Sequence, residues 1–276
     1  MSSSVIALPM AIMCFSRGSW ATANPILAAP GGTFRPETLM WSGKTVSVVL
    51  MTYNEKDSIR RVIEEFEATG VVDEVLVVNN NAAKGTAEEV EATGARQVFE
   101  RQQGYGYAIR RGLNEATGDL VVLAEPDGTF LASDIIKLLA YSDECDVVLG
   151  TRTTNELIWE GANMDWFLKW GNWAVAKMVE LFFNTSHLSD IGCTYRLLSR
   201  NVARQFAAEM QVGGSHAGPE MLMLTIRDGI RFVEIPVNYL PRVGKSSVTG
   251  SKITAFFLGL TMIRFILAFR FGRRAA

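Results

Sequence analysis

Short β-branched runs that each stop at a cluster of polar residues, with helical periodicity between them, constrain this chain more than any other feature. Val46-Ser47-Val48-Val49-Leu50 breaks off at Thr52-Tyr53-Asn54-Glu55, and Ile59, Val62, Ile63 and Phe66 then recur at helical spacing. The alternation continues with Val75 to Val78 running into Asn79-Asn80-Asn81, a helix through Glu88 to Ala92, and a short strand at Gln97-Val98-Phe99. A helix from Ala108 to Ala116, the strand Leu120 to Ala124, a helix carrying Ile135, Ile136, Leu138 and Leu139, and the strand Val147-Val148-Leu149 complete it. Strands that alternate with helices predict an α/β fold with a doubly wound, mostly parallel sheet. Phe232 to Tyr239 reads as a further strand, placed at an edge by Pro236. In such sheets ligands bind outside the carboxyl ends of the strands, so the polar clusters, Gly150-Thr151-Arg152 among them, are expected to converge on one crevice.

The chain has 276 residues, 48% of them hydrophobic and 20% charged, enough for a full core. Its 27 basic and 29 acidic residues leave a net charge of -2, which provides no basic field for nucleic acid. Cys14, Cys145 and Cys193 are odd in number and far apart, the pattern of reduced thiols in a cytosolic protein rather than of a disulfide framework or a zinc site.

Three regions follow: 1–41, 42–250 and 251–276. The first lacks periodicity and reads as a disordered extension or as a start placed too early, with Met40 near the true beginning. The rival reading is a secretory signal ending at Ala21-Thr22-Ala23, although no basic segment precedes its apolar patch. From Ile253 to Phe271 nearly every residue is apolar, Arg264 interrupts the run, and Arg270, Arg273 and Arg274 lie at its end. This predicts a helix in the membrane interface, where Arg264 can snorkel and the terminal cations meet anionic lipid. A buried core helix is the alternative. Trp159, Trp166, Phe167, Trp170 and Trp173, with Lys169 and Lys177 among them, form an aromatic helix expected to serve the core, with a lipid-facing role as its rival.

Glu125-Pro126-Asp127 delivers two carboxylates into a turn at the end of a strand. Paired carboxylate oxygens suit a hard divalent cation, and a cation there suits a diphosphate. An acidic β-turn closed by Gly128 has the same residues.

The order of these motifs resembles glycosyltransferase family 2, of GT-A fold, and within it the polyprenyl-phosphate (dolichyl-phosphate) hexose synthases. The resemblance runs from about Thr45 to Gly250. It rests on Tyr53-Asn54-Glu55, Asn79-Asn80 before Gly85-Thr86, Gly104-Tyr105-Gly106, Glu125-Pro126-Asp127, Gly150-Thr151-Arg152, Asp190 with Gly192, Tyr195 and Arg196, and Arg242 with Gly244 and Ser246. Departures are Met51 for a usual proline, Asn79-Asn80 for an acidic pair, Glu125 for an aspartate, Cys193-Thr194 in the middle of the motif from Asp190 to Arg196, and Ser247 for a lysine, with Lys245 two residues earlier.

The resemblance implies that Thr52, Tyr53, Glu55, Asn79, Asn80, Gly104, Gly106, Glu125 and Asp127 bind a nucleotide diphosphate sugar. It implies that Glu125 and Asp127 hold Mg²⁺ or Mn²⁺, and that Asp127, Arg152, Asp190, Arg196 and Arg242 carry catalysis. Arg152, Lys169, Arg196, Arg242 and Ser246 are then expected to meet the acceptor, the arginines as phosphate-gripping forks. Local rivals are a helix-terminal charge for Glu55 and a dinucleotide fingerprint for Gly104-Tyr105-Gly106, while His216 near Glu220 is expected to cap a helix or lie at the surface, with the metal ligation that a late histidine provides in some GT-A enzymes as its rival. The implied activity is inverting transfer of a sugar to a polyprenyl phosphate at the cytosolic membrane face. Two alternatives are a hydroxyl acceptor, served by Asp190 or Glu220 as general base, and a catalytically idle nucleotide-sugar-binding membrane protein.

Overall fold

The computed structural model describes residues 40–244 and 252–272. The expectations for residues 1–39, Lys245, Ser246, Ser247, Arg273 and Arg274 lie outside them.

Seven strands form one sheet: β1 (Val46–Thr52), β2 (Glu74–Asn79), β3 (Arg96–Phe99), β4 (Leu120–Ala124), β5 (Val147–Thr151), β6 (Arg196–Ser199) and β7 (Phe232–Pro236). Their spatial order is β3-β2-β1-β4-β6-β5-β7. β1, β2, β3 and β4 run parallel, as do β5 and β7, whereas β6 is antiparallel to both β4 and β5. β7 lies at the edge, and Pro236, which cannot donate to a ladder, is its last residue.

Successive strand side chains point to opposite faces, and the core divides accordingly. Val48 and Leu50 pack with Ile59, Ile63 and Phe66 of α1 (Lys56–Glu67), with Val90 of α2 (Thr86–Glu91), and with Ile135 and Leu138 of α4 (Ile135–Leu139). Val49 and Met51 face the other layer, with Ile109 and Leu113 of α3 (Tyr105–Glu115), Val179 of α5 (Trp166–Phe183), Phe206 of α6 (Arg200–Glu209) and Leu222 of α7 (Ala217–Arg227). The sheet is thus wound on both sides, with β6 and α6 added to what periodicity reveals.

The aromatic helix differs from the expectation of a core element. Trp166, Trp170 and Trp173 are 74%, 50% and 41% exposed, and they touch one another in a ladder along the outer side of α5. The last helix, α8 (Lys252–Arg270), sets Phe265, Ile266 and Phe269 against α5 and α7 and leaves Ile253, Phe256, Phe257 and Leu260 exposed. It is not a buried core helix: only 11% of its apolar stretch is buried, and it is long and apolar enough to cross a membrane.

Candidate active site

The carboxyl ends of β1, β4 and β5 open on one cavity of about 600 Å³ lined by Thr52, Tyr53, Glu55, Asn80, Glu125, Arg152 and Arg242, among others. After β4 the chain turns at Pro126 and closes through Gly128 at φ 77°. In this turn Asp127 Oδ1 accepts from the Thr129 amide at 2.9 Å and hydroxyl at 2.6 Å. The acidic-turn reading is therefore correct for one oxygen. The other, Oδ2, is buried without a hydrogen bond and lies 2.9 Å from Arg242 Nη1, close enough for an ion pair but not aligned for a hydrogen bond.

Arg242 brings three carboxylates together. Its nitrogens lie 2.9 Å from Asp127, 3.2 Å from Glu55 and 3.8 Å from Glu125. Burial disfavours the guanidinium charge, but Asp127, Glu125 and Glu55 outweigh it and raise the Arg242 pKa. Glu125 is pushed up to about 7 by burial and by the neighbouring Asp127 charge, while Thr194 Oγ1, donating at 2.6 Å, works the other way. Glu55 does not cap α1 with its side chain. Its Oε2 folds back to accept from the amides of Tyr53 and Asn54 at 2.7 and 2.8 Å, which fixes the loop after β1.

Among the described residues no three His, Cys, Asp or Glu side chains form a metal-binding group. Glu125 and Asp127 nevertheless offer hard oxygen donors, one of them buried and unsatisfied, and a cation from the protein itself already sits against them. That donor set fits a hard divalent cation.

Beyond β5 a second array fixes Arg152. Its Nε and Nη2 donate to the two oxygens of Asp190 at 2.7 and 2.9 Å, and its ring-like guanidinium plane lies over Tyr239 at 5.2 Å. Asp190 is itself placed by Glu234 of β7, which accepts from the amides of Asp190 at 2.9 Å and Ser189 at 2.7 Å. Burial opposes the Asp190 charge, yet the Arg152 guanidinium and two backbone amides hold its carboxyl below the ordinary aspartate value. Both oxygens are thereby engaged. Glu220, the other candidate base, accepts from the amides of Gln211 and Val212 at 2.8 and 3.0 Å and is likewise occupied.

Several predicted roles need correction. Arg196 is 2% exposed and donates to the carbonyls of Cys193, Gly218 and Ile191 at 2.7, 2.7 and 2.9 Å, so its guanidinium ties loops together and has no fork left for a phosphate. Lys169 bonds Asn155 and does not line the cavity. Asn79 holds Gln97 at 3.0 Å and the Ala82 amide at 2.9 Å, also off the cavity wall, whereas Asn80 lines it while fastening the loop before α3 through Glu100, Gln102 and Gly104. The glycines of Gly104-Tyr105-Gly106 do not open space for a ligand. A β-carbon at Gly106 would stand 1.9 Å from the Val212 carbonyl oxygen, and the Gly106 amide donates to Gly213 at 2.9 Å. The close approach is by the chain's own backbone. His216 precedes α7 without a side-chain cap bond and packs its ring on Phe265.

The site also holds residues that sequence reasoning missed: Tyr105 and Thr194 beside Glu125, Glu234 behind Asp190, and Tyr239 under Arg152. Glu234 alone carried a signal, as a charge at the centre of an otherwise apolar strand run.

These parts, a wound sheet with one reversed strand and a carboxylate–arginine cluster at its carboxyl end, define a GT-A-like transferase architecture. The chain belongs to glycosyl transferase family 2, whose family model matches residues 47–206. An uncharacterized glycosyltransferase of Mycobacterium tuberculosis is 32% identical over 215 residues, covering 76% of this chain and 92% of that protein. The low-salt glycan biosynthesis hexosyltransferase of Haloferax volcanii is 26% identical over 229 residues, 81% of this chain and 53% of that protein. Among solved structures, glucosyl-3-phosphoglycerate synthase from Mycobacterium tuberculosis, in complex with Mn²⁺, uridine diphosphate and phosphoglyceric acid, has a TM-score of 0.65. At 17% identity, over 85% of this chain and 81% of that one, the likeness is one of fold.

Proposed function

We propose that this glycosyltransferase moves a sugar from a nucleotide diphosphate sugar to a polyprenyl phosphate, with inversion, at the cytosolic face of a membrane. One observation carries the reading: a single cavity joins the cluster of Glu55, Glu125 and Arg242 to an apolar wall built by α5 and α8, with Leu168, Val175, Leu258 and Ile263 among its side chains. A polar end suits a diphosphate and an apolar end suits a prenyl chain.

Thr52, Tyr53, Glu55 and Asn80 line the cavity where the nucleotide would lie. Glu125 and Asp127 would hold Mg²⁺ or Mn²⁺, which neutralises charge on the departing diphosphate when bound. Arg242 supplies positive charge at the same place and Arg152 at the acceptor side. A phosphomonoester has a second pKa of about 6 and arrives largely as the dianion, so an acceptor phosphate oxygen attacks the anomeric carbon without a base. The bond from that carbon to the β-phosphate oxygen breaks, and its electron pair leaves with the nucleoside diphosphate. The engagement of Asp190 and Glu220 in loop and arginine contacts supports this route over a hydroxyl acceptor, which requires a free general base.

The test is to incubate purified protein and divalent cation with radiolabelled nucleotide sugars and prenyl phosphates, then extract into organic solvent. Label in the organic phase is the expected outcome, falling about a hundredfold or more in Asp127→Asn. Label that stays aqueous with every donor and prenyl phosphate, or full turnover by Asp127→Asn, overturns the reading.

A further inference from the structure

We infer that Thr194 is a positioning residue for the cation site: its hydroxyl ties back one oxygen of Glu125, so that the other is presented, beside Asp127 Oδ2, to a divalent cation. The inference rests on the reading that Glu125 and Asp127 hold such a cation. The sheet brings the two side chains together. β4 and β6 are antiparallel with Leu123 opposite Arg196, so the same register, carried two residues past β4 and two residues ahead of β6, sets Glu125 opposite Thr194. Side chains that face each other across such a pair are within reach, and Thr194 Oγ1 donates to Glu125 Oε1 at 2.6 Å. Tyr105 Oη approaches the same oxygen at 3.4 Å. Glu125 and Thr194 both depart from the pattern that the chain otherwise follows, and this contact joins the two departures.

The two carboxylates of the turn are held alike. Each has one oxygen bonded by a threonine hydroxyl at 2.6 Å, Asp127 Oδ1 by Thr129 and Glu125 Oε1 by Thr194. The remaining oxygens, Asp127 Oδ2 and Glu125 Oε2, lie 2.9 and 3.8 Å from a single atom, Arg242 Nη1, so both face one point where positive charge already stands. A glutamate carboxylate turns on one more bond than an aspartate carboxylate, and freezing that freedom opposes any ligand that needs a fixed oxygen. The Thr194 bond settles the orientation when the chain folds. A hydroxyl on the oxygen that points away from the cation is the contact by which a surrounding residue aims a metal-binding carboxylate. The longer reach of Glu125 and the hydroxyl of Thr194 are therefore two parts of one arrangement.

Binding of Mn²⁺ to the full chain tests the arrangement, followed by electron paramagnetic resonance and water-proton relaxation, with the cation alone and with uridine or guanosine diphosphate. In Thr194→Val, which keeps the shape of the side chain and loses the hydroxyl, the Kd for Mn²⁺ is expected to rise roughly tenfold, and Thr194→Ser is expected to restore it. In a Glu125→Ala background the same Thr194→Val change should cost nothing more, because the oxygen through which it acts is gone. Melting temperatures report whether each variant folds, and Thr194→Ala carries the test should the valine variant fail to. Unchanged Mn²⁺ affinity in folded Thr194 variants overturns the inference, and so does a loss that serine fails to repair or that is as large without Glu125 as with it, since a packing role alone would behave so. Each of these leaves the cation reading standing. A wild type that binds no Mn²⁺ under any of these conditions overturns both.

Discussion

Arg152 and Arg196 flank the same segment, 190–193, and both were expected to grip phosphate, yet their nitrogens meet different partners. Arg196 faces carbonyl oxygens on three sides and Arg152 faces a carboxylate, a ring and the cavity. A motif places an arginine near a site, but which of its nitrogens remain unspent depends on contacts with residues far along the chain, here Gly218 and Tyr239. The same holds for the asparagines: Asn79 and Asn80 read alike in sequence, and only the second reaches the cavity wall. For the Arg152–Asp190 pair, buried to 14% and 0% side-chain exposure, removing one partner strands a charge. Asp190→Asn is therefore expected to cost about 3–5 kcal/mol near neutral pH. Because the folded-state pKa of Asp190 lies below its ordinary 3.8, the folded protein holds this proton more weakly than the unfolded chain. The contribution of the pair is complete above about 3.8 and is lost as pH falls through the lower folded value. Urea titrations across that range should show the gap between wild type and variant closing on the acid side; a constant gap would mean that the charge of Asp190 is not what it contributes.

Six of the seven strands were legible in the sequence, five as mainly apolar runs and β3 as the short stretch Gln97-Val98-Phe99 between two helices. β6 is the exception because Arg196-Leu197-Leu198-Ser199 continues a stretch read for its polar motif and stands outside the strand–helix alternation, running antiparallel to both neighbours. Reversal of β6 between β4 and β5 is what carries the segment 190–194 to the cavity, with Thr194 bonding Glu125. The start of α3 was legible as a glycine-rich helix entry, but the reason for the glycines was not, since the backbone that presses on them lies about a hundred residues later, at Val212 and Gly213. Two alanine substitutions separate these meanings of glycine. Gly106→Ala forces its methyl against the Val212 carbonyl and is expected to destabilise by about 1–3 kcal/mol. Gly171→Ala, inside α5 with nothing within 4 Å of the added carbon, should stabilise by about 0.5–1 kcal/mol through helix propensity. Denaturant melts of the two variants check the opposite signs.

At the scale of the molecule, the apolar surface is unevenly spent. The two layers around the sheet are filled, while the outer sides of α5 and α8 display Trp166, Trp170, Trp173, Ile253 and Phe257. α5 and α8 pack on each other, with Phe183 against Phe269 and Arg270 donating to the Phe182 carbonyl at 2.8 Å, so the two outer sides belong to one pair of helices. Indole rings favour the boundary between water and lipid, where the ring is buried and its N–H stays wet. The proposed acceptor has its chain in the same medium, and α5 and α8 are also the helices that supply the apolar wall of the cavity. A membrane that receives this helix pair would therefore present the acceptor where the cavity is apolar. Full-length protein is expected to co-sediment with vesicles containing anionic lipid. Replacing Trp166, Trp170, Ile253 and Phe257 by serine should lower the bound fraction severalfold, since each exposed apolar side chain that enters lipid contributes about 1.5–3 kcal/mol when fully buried. None of the four lines the cavity, and their exposure in the folded protein predicts small changes in melting temperature. Vesicle binding that survives the quadruple substitution would move the membrane contact away from this face, and a wild type that stays in the supernatant would remove the membrane from the proposed reaction altogether.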